Sequence, residues 1–198
     1  LLYGENQLSS EILTDFTDGE MCGTASGNGS MTVENGVLSI TCKSGSYAES
    51  YSFYKGGNIA SASVANAKYI GFQVENCSDA DIAFAFQGQR QGGANFRMAR
   101  EGEDLLLVNS RGQVAKAQAV VSNNRIAAVL PAGFSGSLLL PTSRAATSID
   151  AQPDWNNGGN KAFYRLGFYI KDNGSTELGQ VSIKGMFMID QELPEVTF

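Results

Sequence analysis

The chain has 198 residues, a length typical of one domain, and 42% of them are hydrophobic while 17% are charged, so it can bury a core and is not a disordered tail. Its formal net charge is −6 and it has no run of Lys or Arg, so the sequence shows no positive footprint of the kind that binding to nucleic acid or to an anionic membrane requires. It contains no histidine, which excludes Ser-His-Asp and Cys-His catalysis and nearly all zinc sites.

In chain order, short apolar segments alternate with turn residues, and no helical stripe persists beyond about two turns. The hairpin at 30–43 is marked by Glu34-Asn35-Gly36, because Asn-Gly accepts the positive φ of a type I′ turn. The range 142–151 is predicted to be a short helix or an irregular loop. The predicted strands are 11–16, 30–34, 37–43, 47–54, 68–76, 81–87, 94–100, 104–109, 114–121, 125–130, 136–140, 162–171 and 178–189.

This pattern predicts an all-β protein, a two-sheet antiparallel β-sandwich of the jelly-roll type. We expect a single domain over 1–198, with 191–198 as a candidate tail or linker. The N-terminus lacks the pattern of a signal peptide, so the chain is interpreted as a mature or excised module. No apolar run approaches the ~20 residues of a membrane-spanning helix, so membrane insertion is not expected.

The three cysteines, Cys22, Cys42 and Cys77, have no metal-ligand spacing. A Cys22–Cys42 disulfide and buried free thiols are alternatives, and free thiols are favoured.

The stretch AFAFQGQRQGGANFRMAR (83–100) combines alternating aromatic residues with amides and arginines. Period-two alternation predicts strands with one buried and one exposed face. Planar amides and guanidinium groups suit the vicinal hydroxyls of saccharides, and aromatic rings stack on sugar faces.

Strand parity then assigns outward side chains, and the sequence predicts that most of them share one sheet face. On YAESYSFYK, Tyr47, Tyr51 and Phe53 share a face that is expected to pack in the core. Trp155, in a polar loop, is either a stacking platform or a plug at one end of the sandwich, and the plug is favoured. The candidate ligand-binding residues are Tyr69, Gln73, Gln87, Gln89, Asn95, Arg97, Trp155, Phe163, Arg165 and Tyr169.

Several phrases together resemble the carbohydrate-binding modules with a galactose-binding-like jelly roll that accompany glycoside hydrolases of anaerobic bacteria. The phrases are LTDFTDG (13–19), GVLSITC (36–42), AKYIGFQVEN (67–76), LPAGFSGSLLLP (130–141), FYRLGFYIK (163–171) and VSIKGMFMI (181–189). The resemblance implies the same fold and a non-catalytic role in binding polysaccharide or oligosaccharide.

That family often holds a structural calcium. The corresponding positions here are Thr17 and Lys184, and an ammonium is a poor neighbour for Ca²⁺, although Asp15, Asp18 and Glu20 lie nearby in sequence. We therefore expect no cofactor, with structural calcium left open.

The sequence favours a secreted or cell-surface monomer that holds a neutral polysaccharide in a shallow groove, beside an attached catalytic domain. One alternative is a structural or interaction sandwich of a surface protein or adhesin, for which Tyr69, Arg97, Arg165 and Tyr169 would be dispersed. A glycosidase or lyase is a third, in which the carboxylates at 75, 81, 101, 103 and 104, or Tyr169 with Arg165, would act.

Overall fold

A computed structural model describes residues 1–16, 21–27, 29–54, 67–90, 95–97, 104–142 and 163–198. Within these residues, no helix is long and apolar enough to span a membrane. The strands are β1 (Leu2–Tyr3), β2 (Asn6–Gln7), β3 (Glu11–Thr14), β4 (Met21–Gly27), β5 (Gly29–Glu34), β6 (Val37–Lys43), β7 (Tyr47–Tyr54), β8 (Tyr69–Asn76), β9 (Ile82–Arg90), β10 (Asn95–Arg97), β11 (Leu106–Asn109), β12 (Val114–Lys116), β13 (Ala119–Ser122), β14 (Arg125–Leu130), β15 (Ser135–Pro141), β16 (Phe163–Asp172) and β17 (Leu178–Ile189).

Two antiparallel sheets build the sandwich. The seven-stranded sheet has the order β13-β14-β9-β16-β7-β4, and β10 pairs with β9. The eight-stranded sheet has the order β12-β11-β15-β8-β17-β6-β5, and β3 pairs with β17. Since strands distant in sequence are neighbours in both sheets, the two-sheet jelly roll predicted from the sequence is confirmed.

The core lies between the sheets and is centred on aromatic side chains. Phe72 of the eight-stranded sheet meets Phe84, Phe86 and Phe168 of the seven-stranded sheet, with ring centroids 6.1, 4.8 and 5.8 Å apart. All four rings are buried. Edge-to-face and tilted aromatic contacts of this kind stabilise a core beyond the area that they bury.

A second apolar cluster covers part of the outer face of the eight-stranded sheet. Tyr3 and Leu8 pack there on Leu139 and Ile189, and Leu193 and Val196 pack against the same cluster. The tail suggested for 191–198 stays a prediction, but two of its side chains therefore contact the sandwich.

Most predicted strands occur; 37–43, 47–54, 125–130 and 178–189 match at both ends, and the others differ by at most three residues at an end. The strand predicted over 114–121 is instead two strands in different sheets. The chain crosses between them, because the Ala117 amide donates to the Leu105 carbonyl while the Gln118 carbonyl accepts from Val129. The strands β1, β2 and β4 were not predicted, and 143–151 of the predicted helix or loop lies outside the described residues.

The predicted hairpin joins β5 to β6. Asn35 and Gly36 both have positive φ, 52° and 76°, as a type I′ turn requires. Val33 pairs with Leu38 and Glu34 with Val37, so the turn sets the register of the hairpin. The interpretation of Asn35-Gly36 is confirmed.

A Cys22–Cys42 disulfide is absent, because Cys42 is a free, buried thiol in β6. Burial, and secondarily the nearby Asp172 carboxylate, raise the pKa of the Cys42 thiol. Cys77 is also free, and it is exposed.

We expect all three cysteines of the chain to titrate with a thiol reagent after denaturation without reductant, whereas Cys42 should stay unreactive in the folded protein. Burial raises the pKa of the Cys42 thiol, and the raised pKa lowers the fraction of thiolate on which the reaction depends. Release of a single equivalent from the denatured chain would contradict the free-thiol assignment.

Candidate functional site

The outer face of the seven-stranded sheet carries a compact group of polar and aromatic side chains. In β16, Leu166, Phe168 and Ile170 are buried in the core, so Gly167 and Tyr169 belong to the outer face. The ladder places Gln87 and Tyr51 on either side of Gly167. It likewise places Ala85 and Glu49 on either side of Tyr169.

Glu49 is the centre of a hydrogen-bonded network on this face. Its Oε1 accepts from Nη2 of Arg125 at 2.6 Å, and its Oε2 accepts from the Tyr51 hydroxyl at 2.9 Å. The Arg125 and Glu49 side chains are 16% and 18% exposed, so this ion pair is shielded more than an ordinary surface pair. Charge-assisted hydrogen bonds to both carboxylate oxygens fix Tyr51 and Arg125 in position.

The Tyr169 ring packs against the Arg125 guanidinium of this network. The Arg125 guanidinium carbon lies 4.8 Å from the centre of this ring, a cation–π distance. The Tyr47 ring stacks against the Tyr169 ring, with centroids 6.0 Å apart. The Tyr169 hydroxyl is hydrogen-bonded to the Ser122 hydroxyl at 2.8 Å. Because Tyr169 is only 3% exposed, the prediction of an outward ring is correct in direction, but the expectation of an accessible ring is wrong.

Removing that hydroxyl by Tyr169→Phe is expected to lower the free energy of unfolding by about 1 kcal/mol, the typical worth of a neutral hydrogen bond. The ring stays under Arg125, so chemical denaturation should remain cooperative. An unchanged unfolding midpoint would show that the Ser122 contact contributes nothing.

A shallow depression lies beside the network, with a cavity volume of about 10 Å³, which is room for about one water molecule. Gly167 contributes no side chain to it, and a Cβ built there would lie 3.5 Å from Cβ and from the carbonyl oxygen of Gln87. Its lining residues are Glu49, Ser50, Tyr51, Ala85, Phe86, Gln87, Arg125, Gly167, Phe168 and Tyr169.

Five further predicted residues extend from this depression by register. Arg97 of β10 pairs with Gln87, and Asn95 pairs with Gln89. On the other side of β9, Arg165 also pairs with Gln89, and Phe163 pairs with Arg90 after an irregularity in the ladder. The register thus gathers Gln87, Gln89, Asn95, Arg97 and Arg165 in two adjacent rows at one end of the seven-stranded sheet.

The prediction that Tyr69 and Gln73 share this face is wrong. Both lie on β8, which pairs with β15 and β17 in the eight-stranded sheet. Strand parity correctly assigned them to an outer face, but it carries no information about which sheet a strand joins. Trp155 lies outside the described residues.

On the eight-stranded sheet the two residues have different surroundings. Tyr69 packs against the second apolar cluster, and burial, followed by the charge of Glu192, raises the pKa of its phenol. Gln73 is exposed and lines a separate cavity of about 350 Å³ that also contains Lys184.

The calcium implied by the resemblance does not fit the position of Lys184. Its ammonium donates to Oε2 of Glu75 at 3.1 Å, where the ion would need an oxygen ligand. In the parts of the chain that the structure describes, no three Cys, Asp or Glu side chains group as metal ligands. Thr17, Asp18 and Glu20 lie outside those parts, so the expectation of no cofactor, with structural calcium left open, stays untested.

Among solved structures, this chain is similar to the family 11 carbohydrate-binding module from Clostridium thermocellum in complex with a beta-1,3-1,4-mixed-linked tetrasaccharide. The identity is 12%, the match covers 93% of this chain and 97% of that chain, and the TM-score is 0.50. The two share a fold. The resemblance predicted from the sequence phrases is thereby confirmed for the jelly-roll sandwich.

A second similar structure is PfGH50B, at 11% identity and a TM-score of 0.53. The match covers 94% of this chain but 24% of that longer chain. Neither a protein-family model nor a curated protein sequence matches this chain.

Sequence reasoning missed Tyr51, Glu49 and Arg125 as parts of this site. Tyr47 and Tyr51 were expected in the core, and this is wrong: Tyr47 is 38% exposed, while Ser50 and Ser52 of the same strand are fully buried. The alternation of β7 was visible, but hydrophobicity favoured the wrong face. Phe53 lies in the same strand, and its side chain is outside the described part.

Proposed function

We propose that this chain is a non-catalytic carbohydrate-binding module that holds a polysaccharide across the outer face of its seven-stranded sheet. The observation that carries the proposal is the open surface at Gly167, which has no side chain and lies in the ladder between Tyr51 on one side and Gln87 on the other. Support also comes from the shared fold with a module whose structure holds a mixed-linked tetrasaccharide.

The side chains around the depression provide both kinds of contact that saccharides require. Tyr47 and Tyr51 lie on the same face of β7, about 13 Å apart by the ~3.3 Å rise of a strand, and each is partly accessible. These rings, in place of Tyr69 and Tyr169, are the stacking candidates. The Gln87 amide supplies both donors and an acceptor for vicinal hydroxyls.

The network around Glu49 would keep these contacts in place before a ligand arrives. Because Arg125 and Tyr51 already satisfy both carboxylate oxygens, binding requires little reordering of side chains. Glu49 is also the one acidic residue on the outer face of the strands of this sheet, and its carboxylate is committed to Arg125, which supports a binding role over acid catalysis.

A purely structural sandwich would disperse Tyr69, Arg97, Arg165 and Tyr169 over the molecule. Three of these four residues, Arg97, Arg165 and Tyr169, lie in the seven-stranded sheet. Secretion or surface display, a monomeric state and an attached catalytic domain belong to the proposal. The module would act by proximity, raising the effective concentration of substrate near that domain. The sequence also predicts that the polysaccharide is neutral; this prediction is untested, and the proposed function does not depend on it.

Two glutamines on opposite sheets test the proposal. Gln87→Ala is expected to weaken binding to a retained polysaccharide about fivefold in affinity electrophoresis, since about one hydrogen bond is lost. Gln73→Ala, the same change on the eight-stranded sheet, should leave the migration unchanged.

A larger effect from Gln73→Ala than from Gln87→Ala would move the site to the other sheet. Failure of the wild-type chain to be retained by any of a broad panel of neutral and acidic polysaccharides would remove the proposed function.

A further inference from the structure

The charges of this protein are distributed unevenly between its two sheets. The whole chain has a formal charge of −6, but the strands of the seven-stranded sheet carry five basic residues and two acidic ones. The strands of the eight-stranded sheet carry three of each. The strands of the seven-stranded sheet, with five basic and two acidic residues, therefore have a formal charge of +3 in a protein whose net charge is −6.

Neither acidic residue of this sheet is available to repel an anion. Asp172 is 1% exposed and accepts hydrogen bonds from Ser175 and from the backbone amides of Gly45 and Gly174. Glu49 is paired with Arg125 and also accepts from Tyr51.

The basic residues concentrate where the proposed site lies. Arg97 occupies the register position opposite Gln87, and Arg165 occupies the one opposite Gln89. Lys171 lies further along β16, where its ammonium donates to the Gly45 carbonyl. Residues directly opposite in an antiparallel ladder are close neighbours, so the two arginines flank the pair of glutamines.

We propose that the glycan held on this face is acidic, carrying carboxylate or sulfate groups, in place of the neutral polysaccharide that the sequence predicted. The inference rests on the proposed function and deepens it. Guanidinium groups bind carboxylate and sulfate oxygens through paired hydrogen bonds, while amides such as Gln87 suit the hydroxyls between them. A basic face on a protein of negative net charge would also orient an approaching polyanion toward this sheet.

The test compares acidic polysaccharides with forms of the same backbone whose acidic groups are blocked or removed. Polygalacturonate is paired with its methyl ester, a sulfated galactan with its desulfated form, and a neutral mixed-linked β-glucan completes the set. We expect the acidic member of at least one pair to bind about tenfold more tightly, with the preference falling as NaCl rises from about 50 mM to about 500 mM.

Equal binding within every pair that binds, or preference for a neutral member or for the β-glucan, would overturn this inference and leave the proposed function standing. Binding to no polysaccharide of this or any broader panel would overturn the proposed function, and the inference with it.

Variants that each remove one positive charge test which arginines bind the acidic glycan. Arg97→Gln and Arg165→Gln are each expected to weaken binding of the acidic glycan about tenfold, since hydrogen bonds to charged groups are stronger than neutral ones. Arg111→Gln removes the same charge from an exposed turn next to β11 of the eight-stranded sheet and should change binding less than twofold. An equal loss from Arg111→Gln would mean that the net charge of the protein, and not this face, governs binding.

Discussion

Gly167→Val is expected to reduce polysaccharide binding at least about thirtyfold, which is the loss seen for a central contact of an interface. The isopropyl group would project from the sheet between Tyr51 and Gln87 and keep a sugar ring from lying against this surface. The fold should tolerate the change, because the new Cβ meets Gln87 at 3.5 Å, an ordinary van der Waals distance, and valine favours strands. Isothermal titration calorimetry with a retained polysaccharide measures the loss.

Gly185→Val is the matched control on the other sheet. A Cβ at Gly185 would have the Thr14 carbonyl oxygen as its nearest atom, also at 3.5 Å. Both variants should therefore unfold within a few degrees of the wild type, while only Gly167→Val loses binding. Wild-type affinity in Gly167→Val would contradict the placement of the site.

Asp172→Asn is expected to lower the free energy of unfolding by about 1.5–3 kcal/mol, the range for hydrogen bonds to a charged group. Oδ2 of Asp172 accepts from the backbone amides of Gly45 at 2.8 Å, Gly174 at 3.0 Å and Ser175 at 2.8 Å, and Oδ1 accepts from the Ser175 hydroxyl. The carboxylate thereby joins the turn after β6 to the turn after β16. An amide keeps one weaker acceptor for these donors.

The same carboxylate makes stability depend on pH. Burial alone would raise the pKa of Asp172, but the hydrogen bonds from Ser175, Gly45 and Gly174 outweigh it and hold the pKa below its ordinary value. A carboxyl whose pKa is lower in the folded than in the unfolded state stabilises the protein above the unfolded pKa of about 3.9. This contribution is lost as pH falls through the lower, folded pKa.

Urea denaturation at a series of pH values measures both effects. The difference in stability between wild type and Asp172→Asn should be constant near neutral pH and shrink below about pH 4. Asp79→Asn is the control, because Asp79 is exposed and accepts from the amide and hydroxyl of Thr176, so its loss should be smaller. A difference between wild type and Asp172→Asn that grows toward low pH would contradict this account.

Local alternation was enough to predict which side chains of most strands face the core. Ile70, Phe72 and Val74 of β8 are buried as predicted, and Phe84 and Phe86 of β9 are buried as well. Burying apolar area is the dominant favourable term in folding, so a period of two in hydrophobicity determines which face turns inward.

Local alternation failed where the inner residues were small. Ser50 of β7 lies opposite Phe168, and the Ser52 hydroxyl donates to Sδ of Met31 at 3.4 Å. Large neighbours from other strands fill that part of the core, so small residues fit inside and Tyr47 and Tyr51 turn outward. A single strand does not reveal the size of its partners across the core.

The sequence also did not reveal which of the two sheets each strand joins. Tyr69 and Gln87 belong to strands that are neighbours in the chain but lie in opposite sheets, because each strand pairs with segments far away in sequence. The pairing of Arg125 with Glu49 spans 76 residues for the same reason. The candidate site therefore emerged only when long-range register was known.

Whether a saccharide lies on the outer face of the seven-stranded sheet can be measured directly by following backbone amide signals in NMR during titration with a bound oligosaccharide. Localised shifts at Tyr51, Gln87 and Gly167, with Gln73 and Gly185 unmoved, are the predicted result. Shifts confined to Gln73, Gly185 and their neighbours would show that the ligand occupies the opposite sheet and would contradict the account.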